Sequence, residues 1–97
     1  MKKIIWSIEA EFDYEANIDY LLKEWTITEV EEFIDKTNNV IFKLQKGNLK
    51  CSKAHYKNIL KCVICKQITL YYREIGNDEI ELIRFWNNYQ DKRNLFK

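Results

Sequence analysis

Apolar positions recur along this chain with two different periods, and the change from one to the other divides it. Lys3-Ile4-Ile5-Trp6 is a short apolar run that predicts a strand. Ser7 follows where a helix N-cap belongs, and Glu9 and Glu11 fall in the first turn, at the positive end of the helix dipole. Ala10, Tyr14, Ile18, Leu21 and Trp25 then repeat every three or four residues and predict one apolar helix face. Phe12, Ala16 and Tyr20 form a second stripe, which predicts cover on more than one side. Thr28-Glu29-Val30-Glu31 has the form of a capping box, in which the threonine hydroxyl accepts from the Glu31 N–H and the carboxylate reaches back. Val30, Phe33, Ile34, Thr37, Val40, Ile41 and Leu44 predict a second helix, ended by Gly47. So short a connection predicts an antiparallel helical hairpin from Ser7 to Lys46.

Asn48 to Tyr56 is polar and predicts a loop, after which the period becomes two. Ile59–Ile64, Ile68–Ile75 and Glu79–Trp86 are rich in β-branched and aromatic residues and predict strands. Gly76-Asn77 suits a two-residue hairpin turn, and Cys65-Lys66 or Lys66-Gln67 turns the hairpin before it. In this register Val63, Ile68, Leu70, Ile83 and Phe85 share one face, and Thr69, Tyr71, Arg73, Leu82, Arg84 and Trp86 the other. A slip of one residue at either turn exchanges the two sets. The expected fold class is α+β. An N-terminal strand and a two-helix antiparallel hairpin pack on an antiparallel sheet of about four strands.

Composition adds that 97 residues make one domain, 1–97. With 46% hydrophobic residues, no proline and two glycines, no linker or low-complexity stretch is expected. Lys2-Lys3 ahead of an apolar run faintly resembles a signal peptide, but Glu9 and Glu11 end that run too early. No segment is long enough to span a bilayer, so the expected compartment is the cytoplasm, with no membrane partner. Three cysteines, an odd number, fit a reducing compartment better than a disulfide framework.

Charge changes the picture more. Met1 to Asp35 holds ten acidic and three basic residues. Lys36 to Arg73 holds nine basic residues and no acidic one, although the net charge is only +1. Such a separated field orients charged partners. The basic half suits a nucleic acid, through phosphate neutralisation, or an acidic peptide; the plainer account is a solvated lysine-rich face.

Cys51, His55, Cys62 and Cys65 are the one metal-like set. Val63 and Ile64 inside the Cys62–Cys65 pair favour extended strand over a zinc knuckle, so buried free cysteines are the better account and no metal or cofactor is expected. A redox pair at Cys62 and Cys65 is weaker still, because it opens no helix. His55, the only histidine, reads as a surface loop residue, and Glu9, Glu11, Asp13 and Glu15 as a solvated helix face. Tyr71, Arg73, Arg84 and Trp86 are the best surface constellation, since arginines fork onto phosphates and aromatics stack on bases. The tail Asn87 to Lys97, with Lys92, Arg93 and Lys97, reads as an exposed basic end or a strand-capping segment.

Ile4-Ile5-Trp6-Ser7-Ile8-Glu9-Ala10-Glu11-Phe12-Asp13-Tyr14 resembles the start of RelE/ParE-superfamily toxins, the plasmid-stabilisation proteins. Tyr20-Leu21-Leu22 and Trp25 resemble the end of that family's first helix, Leu70-Tyr71-Tyr72 its central strand, and Ile80 to Lys92 its last strand and the segment beyond. The resemblance implies a bacterial type II toxin, held in a hetero-oligomer by a cognate antitoxin. Its implied targets are gyrase or the ribosome with its mRNA. Partner or nucleic-acid contacts are then expected at Lys57, Tyr71, Arg73, Arg84, Trp86, Gln90, Lys92 and Arg93.

The closing segment of the family often reads Asn-Arg-Gln; here it is Asn88-Tyr89-Gln90, and the proline usual three residues later is Lys92. In the mRNA-cleaving branch, Lys61 and Lys66 would supply the basic groups and Tyr89 would stand where the arginine stands. Leu95 and Phe96 cannot replace the tyrosine which that branch often carries further on. The long hairpin is more similar to the gyrase-poisoning branch. The implied activity is therefore growth inhibition by binding a macromolecule. A ribosome-dependent endoribonuclease, or a degenerate non-toxic member, is the alternative.

Overall fold

A computed structural model describes residues 1–96, and Lys97 of the basic tail lies outside the described residues. The elements are β1 (Lys3–Trp6), α1 (Ile8–Glu24), α2 (Ile27–Lys46), β2 (Ser52–Lys53), β3 (Leu60–Cys65), β4 (Ile68–Ile75) and β5 (Glu79–Asn87), followed by a 3-10 turn at Lys92–Asn94. The strands form one sheet in the order β1-β5-β4-β3-β2. The hairpins β2–β3–β4–β5 are antiparallel, and β1 lies parallel to β5, with Lys3 opposite Glu79 and Trp6 opposite Leu82. The α+β class and the helical hairpin agree with the sequence. The sheet has five strands rather than about four, and it is mixed. The additional strand, β2, lies inside the predicted loop and exists only because Ser52 and Lys53 pair with Lys61 and Leu60.

Ser7 caps α1 as its sequence context predicts, its hydroxyl accepting from the Ala10 N–H at 3.0 Å. The cap of α2 falls two residues earlier than expected. Thr26, not Thr28, accepts from the Glu29 N–H at 3.4 Å, and α2 starts at Ile27. Trp25 gives its N–H to the Leu21 carbonyl as the C-cap of α1, so the chain must turn at once and Thr26 is the first extended residue available. Gly47 ends α2 at φ 74°, where a side chain would clash with the backbone.

The helices cover one face of the sheet. Ala10 and Leu21 from α1 and Val30, Phe33 and Leu44 from α2 are buried against Leu60, Cys62, Ile64, Ile68, Leu70, Tyr72, Ile80, Leu82 and Phe85. Trp6 stacks on Phe85, with Tyr14 edge-on to both, and Phe33 completes this aromatic group. Phe33 and Phe85, which are fully buried, each contribute about 1.5–3 kcal/mol by leaving water. The second stripe of α1 is not covered as predicted: Phe12 is 68% exposed and Ala16 is exposed too.

Two bulges correct the expected register. Between β4 and β5 the pairing runs Tyr71↔Arg84 and then Tyr72↔Leu82, so Ile83 is the extra residue. Leu82 therefore belongs to the main core, and Ile83 packs on the opposite face with Tyr71 and Trp86. Between β3 and β4 a shift separates Val63 from Cys65; Ile64 is buried and Val63 is 70% exposed on the side away from the helices. The β4–β5 turn takes three residues, Gly76 to Asp78, with Gly76 at φ 61°.

Cys51 and Cys62 form a disulfide across the β2–β3 margin, with Cα atoms 5.3 Å apart; Cys65 is the free thiol. This corrects the expectation of free cysteines at those two positions. The cause is β2: its pairing with β3 brings Cys51 beside Cys62. Among the described residues no three metal-ligating side chains converge, and His55 is exposed in the loop. Among the described residues no helix is long and apolar enough to cross a membrane.

Candidate functional site: a cleft on the outer sheet face

The sheet face away from the helices is partly covered by the chain's own closing segment. Asn88 starts the turn back: its N–H donates to the Gln67 carbonyl and its Nδ2 to the Lys66 carbonyl, while its Oδ1 accepts from Thr69 Oγ1. The 3-10 turn, capped by Asp91, reverses the direction. Leu95 then comes down on Ile59, Tyr71 and Trp86 in a second small core. Phe96 stacks on Tyr56, with centroids 4.7 Å apart, and stands edge-on to Tyr71 at 5.3 Å. Leu95 and Phe96 thus cap the sheet face, while Lys92 and Arg93 of the same segment stay exposed.

Between this segment and the edge of the sheet lies a cleft of about 520 Å³. Tyr56, Lys57 and Asn58 line it together with Arg73 and Glu81 and with Ser7 and Glu9. Ile83, turned outward by the bulge, and Arg84 form part of its lining. Lys57 has φ 43°, a left-handed conformation that costs a non-glycine residue about 1 kcal/mol or more. That strain sits at the wall of the cleft and nowhere else among the described non-glycine residues.

The cations of this cleft are not equally available. The Arg84 guanidinium grips Asp13 of α1 with Nε at 2.6 Å and Nη2 at 3.0 Å, and its Nη1 donates to the Leu95 carbonyl at 3.1 Å. It also lies 5.1 Å from the Trp86 ring centre. The hydrogen bond to Asp13 holds the Arg84 pKa above its ordinary value, with Asp13 and Glu9 charge adding and burial opposing. Arg73 donates to Glu81 at 2.7 Å. Lys57 alone among the cleft's cations has no ion-pair partner among the described residues, and it rests over the Tyr56 ring. Burial raises the Tyr71 phenol pKa above its ordinary value.

Asp13 departs from its expected role. It was read as part of a solvated helix face, yet its carboxylate is only 17% exposed and also accepts from the Phe85 N–H at 3.1 Å. Beyond Trp6 the strand β1 ends, and α1 supplies what a neighbouring strand would have supplied. Ser7 Oγ donates to the Ile83 carbonyl, Asp13 takes the Phe85 N–H, and Asn17 Nδ2 donates to the Phe85 carbonyl at 2.8 Å. Asp13 and Asn17 lie on the buried side of the apolar face through Ala10, Tyr14 and Leu21, and that position is the signal that could have identified them.

The structure thus brings Lys57, Arg73 and Arg84 together around the cleft, while Tyr71 and Trp86 pack in the small core with its lining residues Ile59, Ile83 and Leu95. It does not bring Lys61, Lys66 and Tyr89 to it. Lys61 is opposite Tyr71 in mid-strand. Lys66 sits in the β3–β4 turn with its ammonium 5.0 Å from the Trp25 ring centre. Tyr89 is 58% exposed beside that turn, its N–H donating to Asn87 Oδ1. Gln90, Lys92 and Arg93 are on the exposed part of the closing segment, Arg93 paired with Asp91 at 2.6 Å. Tyr56 and Glu81 line the cleft without having been singled out by the sequence, and Glu9 and Phe96 line it in a place the sequence did not give them.

Comparison with known proteins supplies the fold's relatives. A chain of the chromosomal ParDE TA system from P. aeruginosa superposes with TM-score 0.71 at 16% identity, over 90% of this chain and 96% of that one. The chain has the RelE/ParE-type toxin fold. A chain of the YoeB–YefM complex from Staphylococcus aureus gives TM-score 0.61 at 14% identity over 92% of this chain and 99% of its own. YafQ from E. coli gives 0.62 at 12% identity, with both chains covered completely. No protein-family model and no curated protein matches the sequence.

Proposed function

We propose that this RelE/ParE-fold chain is the toxin of a bacterial type II toxin-antitoxin system, held inactive in a hetero-oligomer with a cognate antitoxin. It arrests growth in the cytoplasm by binding a macromolecular target, as the ParE-like branch does, and DNA gyrase is the first target to test. The fold supports the toxin reading, since its relatives include a ParDE system and the YoeB–YefM toxin-antitoxin complex.

The observation that carries the binding reading over RNA cleavage is the state of the two arginines. Cleavage through a 2′-hydroxyl needs cations free to meet the phosphate and groups that move protons. Arg84 and Arg73 are each engaged by a carboxylate within 2.7 Å. The three residues that match the nuclease pattern by position, Lys61, Lys66 and Tyr89, do not line the cleft. Tyrosine at position 89 supplies no permanent charge to a phosphate.

Induced expression with pulse-labelling of DNA and protein synthesis tests this. Early arrest of DNA synthesis is the expected result. Primer extension on a translated message with purified protein and ribosomes is the second arm, using wild type, Tyr89→Arg and Lys61→Ala. Wild-type cleavage abolished by Lys61→Ala would overturn the proposal in favour of a ribosome-dependent endoribonuclease. Absence of both cleavage and growth arrest would identify a non-toxic member.

A further inference from the structure

We propose that the Cys51–Cys62 bond is a reversible redox clasp: a dithiol reductant opens it through the groove beside it, and opening it frees a loop that lines the cleft. This goes beyond the toxin reading and stands without it. The pair is not the Cys62 and Cys65 pair that sequence spacing offered, and it joins two segments of unequal hold. Cys62 is 5% exposed inside β3, a strand fixed along β4. Cys51 is half-buried ahead of β2, whose exposed Ser52 and Lys53 pair only with Lys61 and Leu60. Besides the bond and its packing on the main core, Cys51 is held by its N–H, which donates to the Tyr72 hydroxyl at 3.1 Å. So short a ladder, with no buried side chain of its own, opens readily once the bond is gone. The same loop continues to the cleft. Ala54 donates its N–H to the Ile59 carbonyl and packs on the small core of Tyr71, Trp86 and Leu95. Tyr56 and Lys57 then line the cleft, with Tyr56 stacked on Phe96. Freeing Cys51 therefore loosens the start of a segment whose far end shapes the cleft.

The bond is open to attack. Cys51 and Cys62 line a groove of about 450 Å³ together with Lys43, Lys50 and Lys61, and no carboxylate lines it. Lys43 comes from α2, which covers the sheet face where both cysteines pack. Lys50 pairs with Glu74 at 3.4 Å, whereas Lys43 has no ion-pair partner among the described residues. An electropositive, partly open setting of this kind favours thiol–disulfide exchange, because it attracts the incoming thiolate and stabilises the departing one. The reductant's thiolate attacks Sγ of Cys51, the more exposed residue. The S–S bond breaks, and Cys62 leaves as a thiolate that takes up a proton. The reductant's second thiol then loses its proton and attacks the reductant's own sulfur in the mixed disulfide. Cys51 is released and protonated in turn. A pair of electrons has passed to the cysteines, and the reductant has become a cyclic disulfide. Oxidised dithiol runs the same steps backwards. Cys65, the free thiol, does not line the groove and takes no part.

The test uses the full chain, without denaturant, in dithiothreitol buffers of defined reduced-to-oxidised ratio. Alkylation with mass spectrometry identifies the free thiols, and NMR follows the backbone amides. Cys65 alone should be alkylated on the oxidised side, and Cys51, Cys62 and Cys65 on the reduced side. Reduction should shift the amides from Leu49 to Asn58 and speed their exchange by at least about tenfold, leave the β4–β5 ladder protected, and reverse on reoxidation. Lys43→Glu should slow reduction by at least about threefold at low salt, with the gap closing as salt rises. Cys65→Ser should change none of this. Cys51→Ser with Cys62→Ser should hold the reduced spectrum at every ratio, β4–β5 protection showing that the variant is folded. Cys51 and Cys62 alkylated at every ratio, reduction only at the rate of global unfolding, or a loop unmoved by reduction would each overturn the inference. So would loss of β4–β5 protection on reduction, a rate indifferent to Lys43→Glu, or a response abolished by Cys65→Ser.

Discussion

Replacing Asp13 removes the group on which the outer face and α1 both depend. Its carboxylate accepts three hydrogen bonds, two from Arg84 and one from the Phe85 backbone. In Asp13→Ala the guanidinium, about a fifth exposed at 21%, keeps only the Leu95 carbonyl and the Trp86 ring, and the Phe85 N–H loses its acceptor. Breaking a buried pair from one side costs roughly 3–5 kcal/mol, and the partial exposure here places the expected loss at about 3 kcal/mol. Arg84→Met should cost about 2 kcal/mol, since Asp13 retains the Phe85 N–H. The double variant should also lose only about 3 kcal/mol, because neither charge is then stranded, which gives a coupling of about 2 kcal/mol. Urea denaturation followed by far-UV circular dichroism reads this directly. With a slope of about 1–1.5 kcal/mol/M for a domain of this size, Asp13→Ala should move the midpoint down by about 2–3 M. A shift below about 0.5 M, or losses that simply add in the double variant, would refute the role given to this pair.

Three further outcomes are expected. Thr26→Ala should cost about 1 kcal/mol of stability and Thr28→Ala less than about 0.5 kcal/mol, because only the first hydroxyl caps α2; equal effects in thermal melts would contradict the assigned cap. Opening the Cys51–Cys62 bond closes off a separation of 11 residues no longer, so Cys51→Ser or reductant should lower stability by about 3 kcal/mol in the same urea assay. Tyr14, Tyr71 and Tyr72 have phenol pKa values raised above the ordinary 10.0, burial being the leading cause in each. The native state then holds protons that the unfolded chain releases, so the stability they give is full below about pH 10 and lost as pH rises through the native values. Ultraviolet titration of phenolate alongside the denaturation midpoint checks this, and a midpoint flat through that range would count against it.

Much of the fold was legible because local pattern and tertiary demand agree. Lys3–Trp6, the cap at Ser7, the helical stripe of α2 and the three long strands all carry period and punctuation in their own residues. β2 does not: Ser52-Lys53 has no apolar signal and is a strand only by pairing. The Ile83 bulge was hidden because Leu82 and Ile83 are both apolar, so alternation cannot say which one is extra. The Cys51–Cys62 bond depended on β2 and was hidden with it. In the site, the register placed Arg73 and Arg84 on one face, whereas Lys57 joins them only through the folded loop ahead of β3. The engagement of the two arginines by Asp13 and Glu81 did not follow from the sequence, because a carboxylate on α1 and an arginine on β5 are brought together only by the packed fold. Lys57's left-handed backbone has no signal in the residue itself.

Ser7 has a consequence for the order in which the molecule can assemble during synthesis. Its hydroxyl starts α1 and also reaches the carbonyl of Ile83, 76 residues later, while its N–H goes to Leu82. Among the described residues β1 has its strand partner in β5 alone, the last strand of this sheet in chain order. A nascent chain that stops before Glu79 therefore has nowhere to dock its first strand, and Asp13 and Asn17 have no edge to seal. Contacts of such long sequence separation form late and together. Docking of β1 into the sheet therefore waits on β5, and the surface built on both is complete only once β5 is in place.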